Sequence, residues 1–377
     1  MKNYIERELS KKIKSRLFKG KAIIVYGPRQ CGKTTLMEHI IDNVKMNPIM
    51  LNGDDDLDVR LFDTVTMSRW NQILGNKKSV FIDEGQKIKK LGQSVKLLID
   101  NRPEIQVLIT GSSSFDLASK MEEPLTGRKI EYKLFPLTYK ELINQEGFVS
   151  EHKALEIRLL YGSYPEIVTD TENMKENLIM LSNSYLYRDL LQYEGIRKPQ
   201  LLEKLLKALA MQCGSQVSIN EVSSTLGVSR TLVESYLTLL QQSFIIFSLP
   251  SFSTNKRNEL KKSKKYYFWD NGIRNAIIND FTPLVNRKDI GILWENYLVS
   301  ERLKANYYSN NTNESYFWRT TDQMEVDYLE TNQNSLSAFE FKWNEKKKTR
   351  LTKAFSNRYP ESNFMNVTPV NYDEFLS

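Results

Sequence analysis

Gly27-Pro28-Arg29-Gln30-Cys31-Gly32-Lys33-Thr34 is the stretch on which the reading turns, and it fits the pattern G-x-x-x-x-G-K-[ST]. The run before it, Ala22-Ile23-Ile24-Val25-Tyr26, reads as a strand, and a helix begins near Lys33. Strand, glycine loop and helix is the order that curls backbone N–H groups around a phosphate chain. Lys33 is expected on the β- and γ-phosphates, Thr34 on Mg²⁺, and the positive end of the following helix on the anion. The expected nucleotide contacts are Gly27, Pro28, Arg29, Gln30, Cys31, Gly32, Lys33, Thr34 and the adjoining Thr35. Cys31 reads as loop filler.

Working outward, Ser79-Val80-Phe81-Ile82 runs into Asp83-Glu84, which places two carboxylates at the C-terminal edge of a strand, where α/β sheets bind ligands. Asp83 is expected to hold Mg²⁺, largely through water, and Glu84 to polarise the attacking water. A bare acidic turn at a strand end has the same local sequence; the preceding phosphate loop gives the pair its meaning. Residues 48–52, 106–110 and 129–135 are further strand candidates, and helical segments separate them. Such alternation means a parallel sheet covered on both faces. The run at 106–110 ends in Thr110-Gly111-Ser112, where Ser112 is placed to sit beside a γ-phosphate or simply to make a Ser/Gly turn. Arg128 is read either as a stabiliser of transition-state charge, within the chain or across a subunit interface, or as a loop cap.

Composition bounds the alternatives. The chain has 377 residues with 40% hydrophobic and 26% charged, enough for two or three packed domains. The formal charge is +7, compatible with an anionic ligand or nucleic acid. Two cysteines, Cys31 and Cys213, exclude a disulfide framework, and two histidines leave little for histidine-based metal or nucleophile chemistry. The apolar stretch near Phe244–Phe252 is too short and interrupted to span a membrane, and the charged N-terminus has no signal-peptide core. A cytoplasmic soluble protein with no membrane partner is the expectation.

Ile5, Leu9, Ile13 and Leu17 recur four apart, predicting an amphipathic helix over 2–18. Beyond Pro136 the pattern turns helical. Residues 200–270 read as a winged helix, with Ser229-Arg230-Thr231 opening a recognition helix and wing strands at 244–249 and 266–269. The intervening tip carries Lys256, Arg257, Lys261, Lys262, Lys264 and Lys265, either a phosphate-tracking surface or a solvated charge run. The remaining chain reads as helix 290–304, strands near 315–320, 324–330 and 335–343, helix 349–357 and strand 362–368.

The ordered series GPRQCGKTTL (27–36), FIDEGQ (81–86), ITGSSSFDL (109–117) and LTGRKIEYKLFPLTYKEL (125–142) resembles the AAA-type ATPases of the archaeal and bacterial AAA_14 group. The tail resembles the DUF4143 domain that accompanies them. The resemblance covers nearly the whole chain. It implies an α/β fold: an AAA+-like P-loop parallel sheet of five strands, a helical lid, a winged helix and a C-terminal restriction-endonuclease-like α/β domain. Tyr161-Gly162-Ser163-Tyr164-Pro165 resembles the family's G-G-Y-P element, itself similar to the G-x-P sensor of STAND-type ATPases, which implies Pro165 near the adenine. Ser163 stands where a second glycine is commoner, and a plain helix–helix turn reads the same way.

DUF4143 is implied to have a PD-(D/E)XK-type nuclease fold. Asp327 lies in MEVDYLE, and strand alternation in SLSAFEFKW puts Glu340 and Lys342 on one face. Asp327 and Glu340 are expected to ligate Mg²⁺, with Glu295 of the preceding helix completing the set and Lys342 orienting water or offsetting phosphate charge. The expected domains are an N-terminal helix (1–20), a P-loop ATPase core (21–135), a helical lid (136–199), a winged helix (200–270) and a nuclease-fold domain (271–377). The expected function is an Mg²⁺-dependent ATP-hydrolysing switch coupled to a nucleic-acid module, DNA before RNA, with metal-dependent cleavage as its finer form. The alternatives are a regulatory ATPase whose inactive tail binds a protein, and a winged-helix DNA-binding regulator. Oligomeric state, target and pathway stay open.

Overall fold

The computed structural model describes residues 4–112, 125–183, 198–253, 264–320, 322–332, 335–347 and 349–377. The chain forms two compact units, Met1–Pro136 with Gln242–Phe244, and Leu137–Gln241 with Ile245–Ser377.

In the first unit, five strands form one sheet: β1 (Ala22–Tyr26), β2 (Ile49–Asn52), β3 (Ser79–Asp83), β4 (Gln106–Gly111) and β5 (Lys129–Lys133). Their order is β2-β3-β4-β1-β5 and every pairing is parallel. The central strands are continuous apolar runs because helices cover both faces; Ile23, Ile24, Val25, Val80, Phe81, Ile82, Val107, Leu108 and Ile109 are all buried. The parallel register puts the ends of β1, β3 and β4 at one sheet edge, where the phosphate loop, Asp83 and Ser112 follow. The α/β class with a five-stranded parallel core is as expected.

The N-terminal helix is shorter than its hydrophobic period suggested, running Glu8–Lys14. Ile5 buries from an extended segment, and Leu17 from a turn. Arg7 has extended backbone at the helix start. Its buried guanidinium donates to the carbonyls of Cys31 (2.8 Å) and Phe135 (2.6 Å).

The second unit holds the segments expected as lid, winged helix and nuclease-fold domain. Beside the helices Pro199–Met211, Ile219–Leu226 and Arg230–Gln242 lies a three-stranded antiparallel sheet of β6 (Gln216–Val217, between the first two helices), β7 (Ile246–Leu249) and β8 (Lys264–Phe268), in the order β6-β8-β7. A 20-residue helix, Ile290–Ser309, leads into β9 (Glu314–Arg319), β10 (Glu325–Thr331), β11 (Leu336–Phe341) and β12 (Asn363–Val367). Their order is β12-β11-β10-β9. β11 and β12 are parallel, joined across the helix Lys353–Arg358, as a parallel crossover requires. One hydrophobic core runs from Tyr139 through Leu237, Tyr267, Trp294 and Tyr328 to Phe375, so these segments share their packing.

Candidate functional site

The phosphate loop owes its shape to two glycines. A Cβ on Gly27 would lie 2.2 Å from the Leu134 carbonyl oxygen, so no side chain fits there. Gly32 caps the helix Lys33–Asn43 at φ +90°, in the left-handed region. Gln30 also has positive φ (57°), and this alternation is the backbone form of an anion nest. Cys31 is buried, its thiol pushed up by burial, as suits a packing residue. Lys33 is 6% exposed, and its ammonium donates to the carbonyls of Gly27 (3.0 Å) and Pro28 (2.8 Å). Among the described residues no carboxylate pairs with it. A buried ammonium held only by carbonyls is short of a counter-ion, which a nucleotide phosphate would supply. Arg29 is half-buried, and Thr35 is exposed.

Asp83 stands beside this loop. Its carboxylate accepts from the Thr34 hydroxyl at 2.8 Å, from the Thr110 hydroxyl and from the Glu84 N–H at 3.1 Å. Thr34 and Asp83 are thus the adjacent hard-oxygen groups that an Mg²⁺ ion would take, and the donor set fits that ion. Glu84 leaves β3 at φ +49°, starting the single turn Gly85–Lys87. That turn returns Gln86, whose side-chain amide donates to Glu84 and, at 2.9 Å, to the Ser112 hydroxyl. Thr110, which anchors Asp83, and Gln86, which links Glu84 to Ser112, carried no assigned role in the sequence reading.

Arg128 is not brought to the loop within one chain. Its carbonyl accepts from Ala22 at the start of β1, the sheet edge opposite the phosphate loop. Its guanidinium pairs with Asp100 and the Thr126 carbonyl. Pro165 belongs to the second unit, at the first position of the short helix Pro165–Thr169. Gly162 there has φ +73°, and a Cβ on it would lie 2.0 Å from the Asp270 carboxylate. That buried carboxylate accepts from the Ser163 N–H (2.7 Å) and caps the helix Asn271–Ile278 through Ile273 (3.1 Å). Ser163 itself needs no positive φ, so a serine serves at this position.

In the second unit, Glu295, Asp327, Glu340 and Lys342 do come together. Asp327 sits where β10 shifts register against β9, between Val326 and Leu329, and such bulges re-aim side chains. Asp327 accepts from the Phe341 N–H at 2.8 Å. The Lys342 ammonium lies 3.3 Å from Asp327 and 2.8 Å from Glu340. Burial first, then the Asp327 carboxylate, lifts the Glu340 acid to about 7, with Lys342 opposing. Glu295 is also raised, by burial first and by Asp327, against the pull of Lys265. Among the described residues, no three or more His, Cys, Asp or Glu side chains are grouped to hold a metal ion. Lys342 occupies the place between Asp327 and Glu340 that a cation would take. The expected ligand set Glu295, Asp327 and Glu340 therefore does not fit a metal in this arrangement.

Lys265 corrects the reading of the wing tip. It is 2% exposed and pairs with Glu295 (3.0 Å) and Glu325, while the Tyr267 hydroxyl donates to Glu295 (2.7 Å). Strand alternation in β8 turns Lys265 and Tyr267 to the same side, into this acidic cluster, so Lys265 is a structural cation. Lys256, Arg257, Lys261 and Lys262 lie outside the described residues. Among those described, no helix is long and apolar enough to cross a membrane.

An AAA domain model, AAA_14, matches residues 19–143; domains of unknown function DUF8612 and DUF4143 match 152–284 and 290–372. The uncharacterized protein MJ1544 of Methanocaldococcus jannaschii is 26% identical over 95% of this chain and 83% of its own length. The uncharacterized protein Rv2008c of Mycobacterium tuberculosis is 27% identical over 86% of this chain and 71% of its own. A solved structure of a Thermotoga maritima RuvB mutant aligns over 68% of this chain and 95% of that one, at 20% identity and TM-score 0.33. The chain thus carries an AAA domain of the AAA_14 family at residues 19–143 and a DUF4143 domain at residues 290–372.

Proposed function

We propose that the first unit binds ATP with Mg²⁺ and hydrolyses it, and that this cycle switches a nucleic-acid-binding module in the rest of the chain. The observation that carries the reading is Lys33: a buried ammonium at a helix N-terminus, held among the described residues by carbonyls alone, beside the Thr34–Asp83 oxygen pair. Lys33 and the loop N–H groups bind the phosphates. Thr34 and Asp83 would hold the Mg²⁺, which supplies charge neutralisation on the phosphates. Glu84 orients a water and takes its proton. Lys33→Ala is expected to abolish or severely weaken nucleotide binding, read by titration of a fluorescent ATP analogue. Unchanged affinity would overturn the assignment.

The support for a polymer partner is electrostatic. The net charge is +7, and Lys346, Lys347 and Arg350, after Lys342, are exposed. Salt-sensitive retention of duplex or single strand at low ionic strength is expected, and its absence would sink this half of the proposal. A second reading, phosphodiester cleavage, rests on Asp327, Glu340 and Lys342 sharing one region of adjoining strands. Since the cluster as arranged does not fit a metal, no cleavage step is derived. Its test is Mg²⁺- or Mn²⁺-dependent cutting, with and without ATP, lost in Asp327→Ala and Glu340→Ala. No cutting would leave the tail as a binding module.

A further inference from the structure

We infer that Gln86 is a positioning residue that links Ser112 to Glu84, so that occupancy at the γ-phosphate sets the geometry of the attacking water's base. This deepens the ATPase reading above and rests on it. The Gln86 side chain is 8% exposed, and its single amide nitrogen donates to both Glu84 and Ser112. An amide nitrogen has two hydrogens, so these two acceptors use both. Because the Ser112 hydroxyl accepts from Gln86, its own proton is left to donate to a phosphate oxygen. The Ser112 end thus faces the nucleotide and the Glu84 end faces the water.

The surrounding backbone is built to keep this geometry. Glu84 sits at φ +49°, a conformation that costs a non-glycine residue energy and persists only where its surroundings over-determine it. Two hydrogen bonds and one close backbone approach do so. The Gly53 N–H donates to the Asp83 carbonyl at 2.9 Å, and the Lys87 N–H to the Glu84 carbonyl at 3.1 Å. A Cβ on Gly53 would lie 2.2 Å from the Glu84 carbonyl oxygen, so that position admits only glycine. The turn is therefore held from β2 on one side and closed by Gln86 toward β4 on the other.

The experiment is a double-mutant cycle on the full chain with Ser112→Ala, Gln86→Met and the double variant, reading kcat and the affinity for a non-hydrolysable ATP analogue. Gln86→Met keeps length and removes the donor. Losing an orienting hydrogen bond to a charged group is expected to lower kcat roughly ten- to hundredfold, with analogue affinity within about threefold of wild type. The double variant should lose less than the product of the two single losses, because both changes cut one link while Ser112→Ala also removes the phosphate donor. Effects that multiply, a kcat within about twofold of wild type, or a raised kcat would overturn the inference. Should Gln86→Met lose nucleotide as well, Gln86→Glu, which keeps size but cannot donate as a carboxylate, decides by the same criteria. A wild-type chain with no turnover would instead defeat the ATPase reading itself, a distinguishable result.

Discussion

Replacing Lys265 with methionine removes a buried cation from between Glu295 and Glu325 while keeping most of the side-chain volume. In the folded protein the ammonium is 2% exposed, 3.0 Å from Glu295, and 5.4 Å from the Phe317 ring centroid. Burial alone would push this lysine down, but Glu295, Glu325 and Asp327 hold it above the ordinary lysine range. Removing one partner of a buried pair leaves an uncompensated charge, which costs about 3–5 kcal/mol. Here two carboxylates lose their cation at once, so the upper part of that range is expected. Of the five tryptophans, Trp269, Trp294, Trp318 and Trp343 lie in the second unit and Trp70 in the first. Tryptophan fluorescence during urea unfolding therefore reports mainly the second unit. At an m-value of about 3 kcal/mol/M, the expected midpoint shift is roughly 1.3–1.7 M. Adding Glu295→Gln to Lys265→Met should restore part of the loss, with a coupling of about 1–3 kcal/mol. A single variant within about 0.5 kcal/mol of wild type is what a solvated wing lysine would give, and it would refute the buried-cluster account.

Two further predictions concern the same unit. The Glu340 acid is raised from 4.5 to about 7, so the folded state holds a proton that the unfolded chain releases. The stability this contributes is fully present below the unfolded value and is lost as pH rises through about 7. In chelator-treated buffer, Glu340→Gln should therefore gain on wild type in urea midpoint between about pH 5 and pH 8, and parallel pH profiles would contradict it. Gly162→Ala should destabilise by more than about 2 kcal/mol, from the strained φ and the displaced Asp270 cap. Ser163→Gly, where no positive φ is needed, should stay within about 1 kcal/mol in the same unfolding assay.

Much of the first unit was legible because its signals are local. Apolar runs such as Ala22–Tyr26 and Ser79–Asp83 are short, bounded by glycine or acid, and belong to strands buried on both faces. The phosphate loop carries its own spacing, and the edge of the sheet it occupies follows from parallel order. What escaped depends on distant partners. The N-terminal helix was overdrawn because periodicity reports burial, and Ile5 and Leu17 bury without being helical. Lys265 looked like one more charge in a basic run; only folding brings it to Glu295 and Glu325, 30 and 60 positions away along the chain. Gln86 stands two residues from Glu84, but its second partner, Ser112, follows a different strand. In the C-terminal cluster, alternation correctly joined Glu340 to Lys342. That the ammonium would fill the space between the carboxylates needed the coordinates.

The central claim is that Glu84 activates water at a phosphate loop built around Lys33, and steady-state ATP turnover in Glu84→Gln tests it most directly. The amide keeps the size of the side chain and cannot take the proton. The account predicts Mg²⁺-dependent hydrolysis by the wild-type chain. It predicts a loss on the order of a hundredfold or more in Glu84→Gln, with analogue affinity unchanged. Equal turnover in the two proteins would contradict the account.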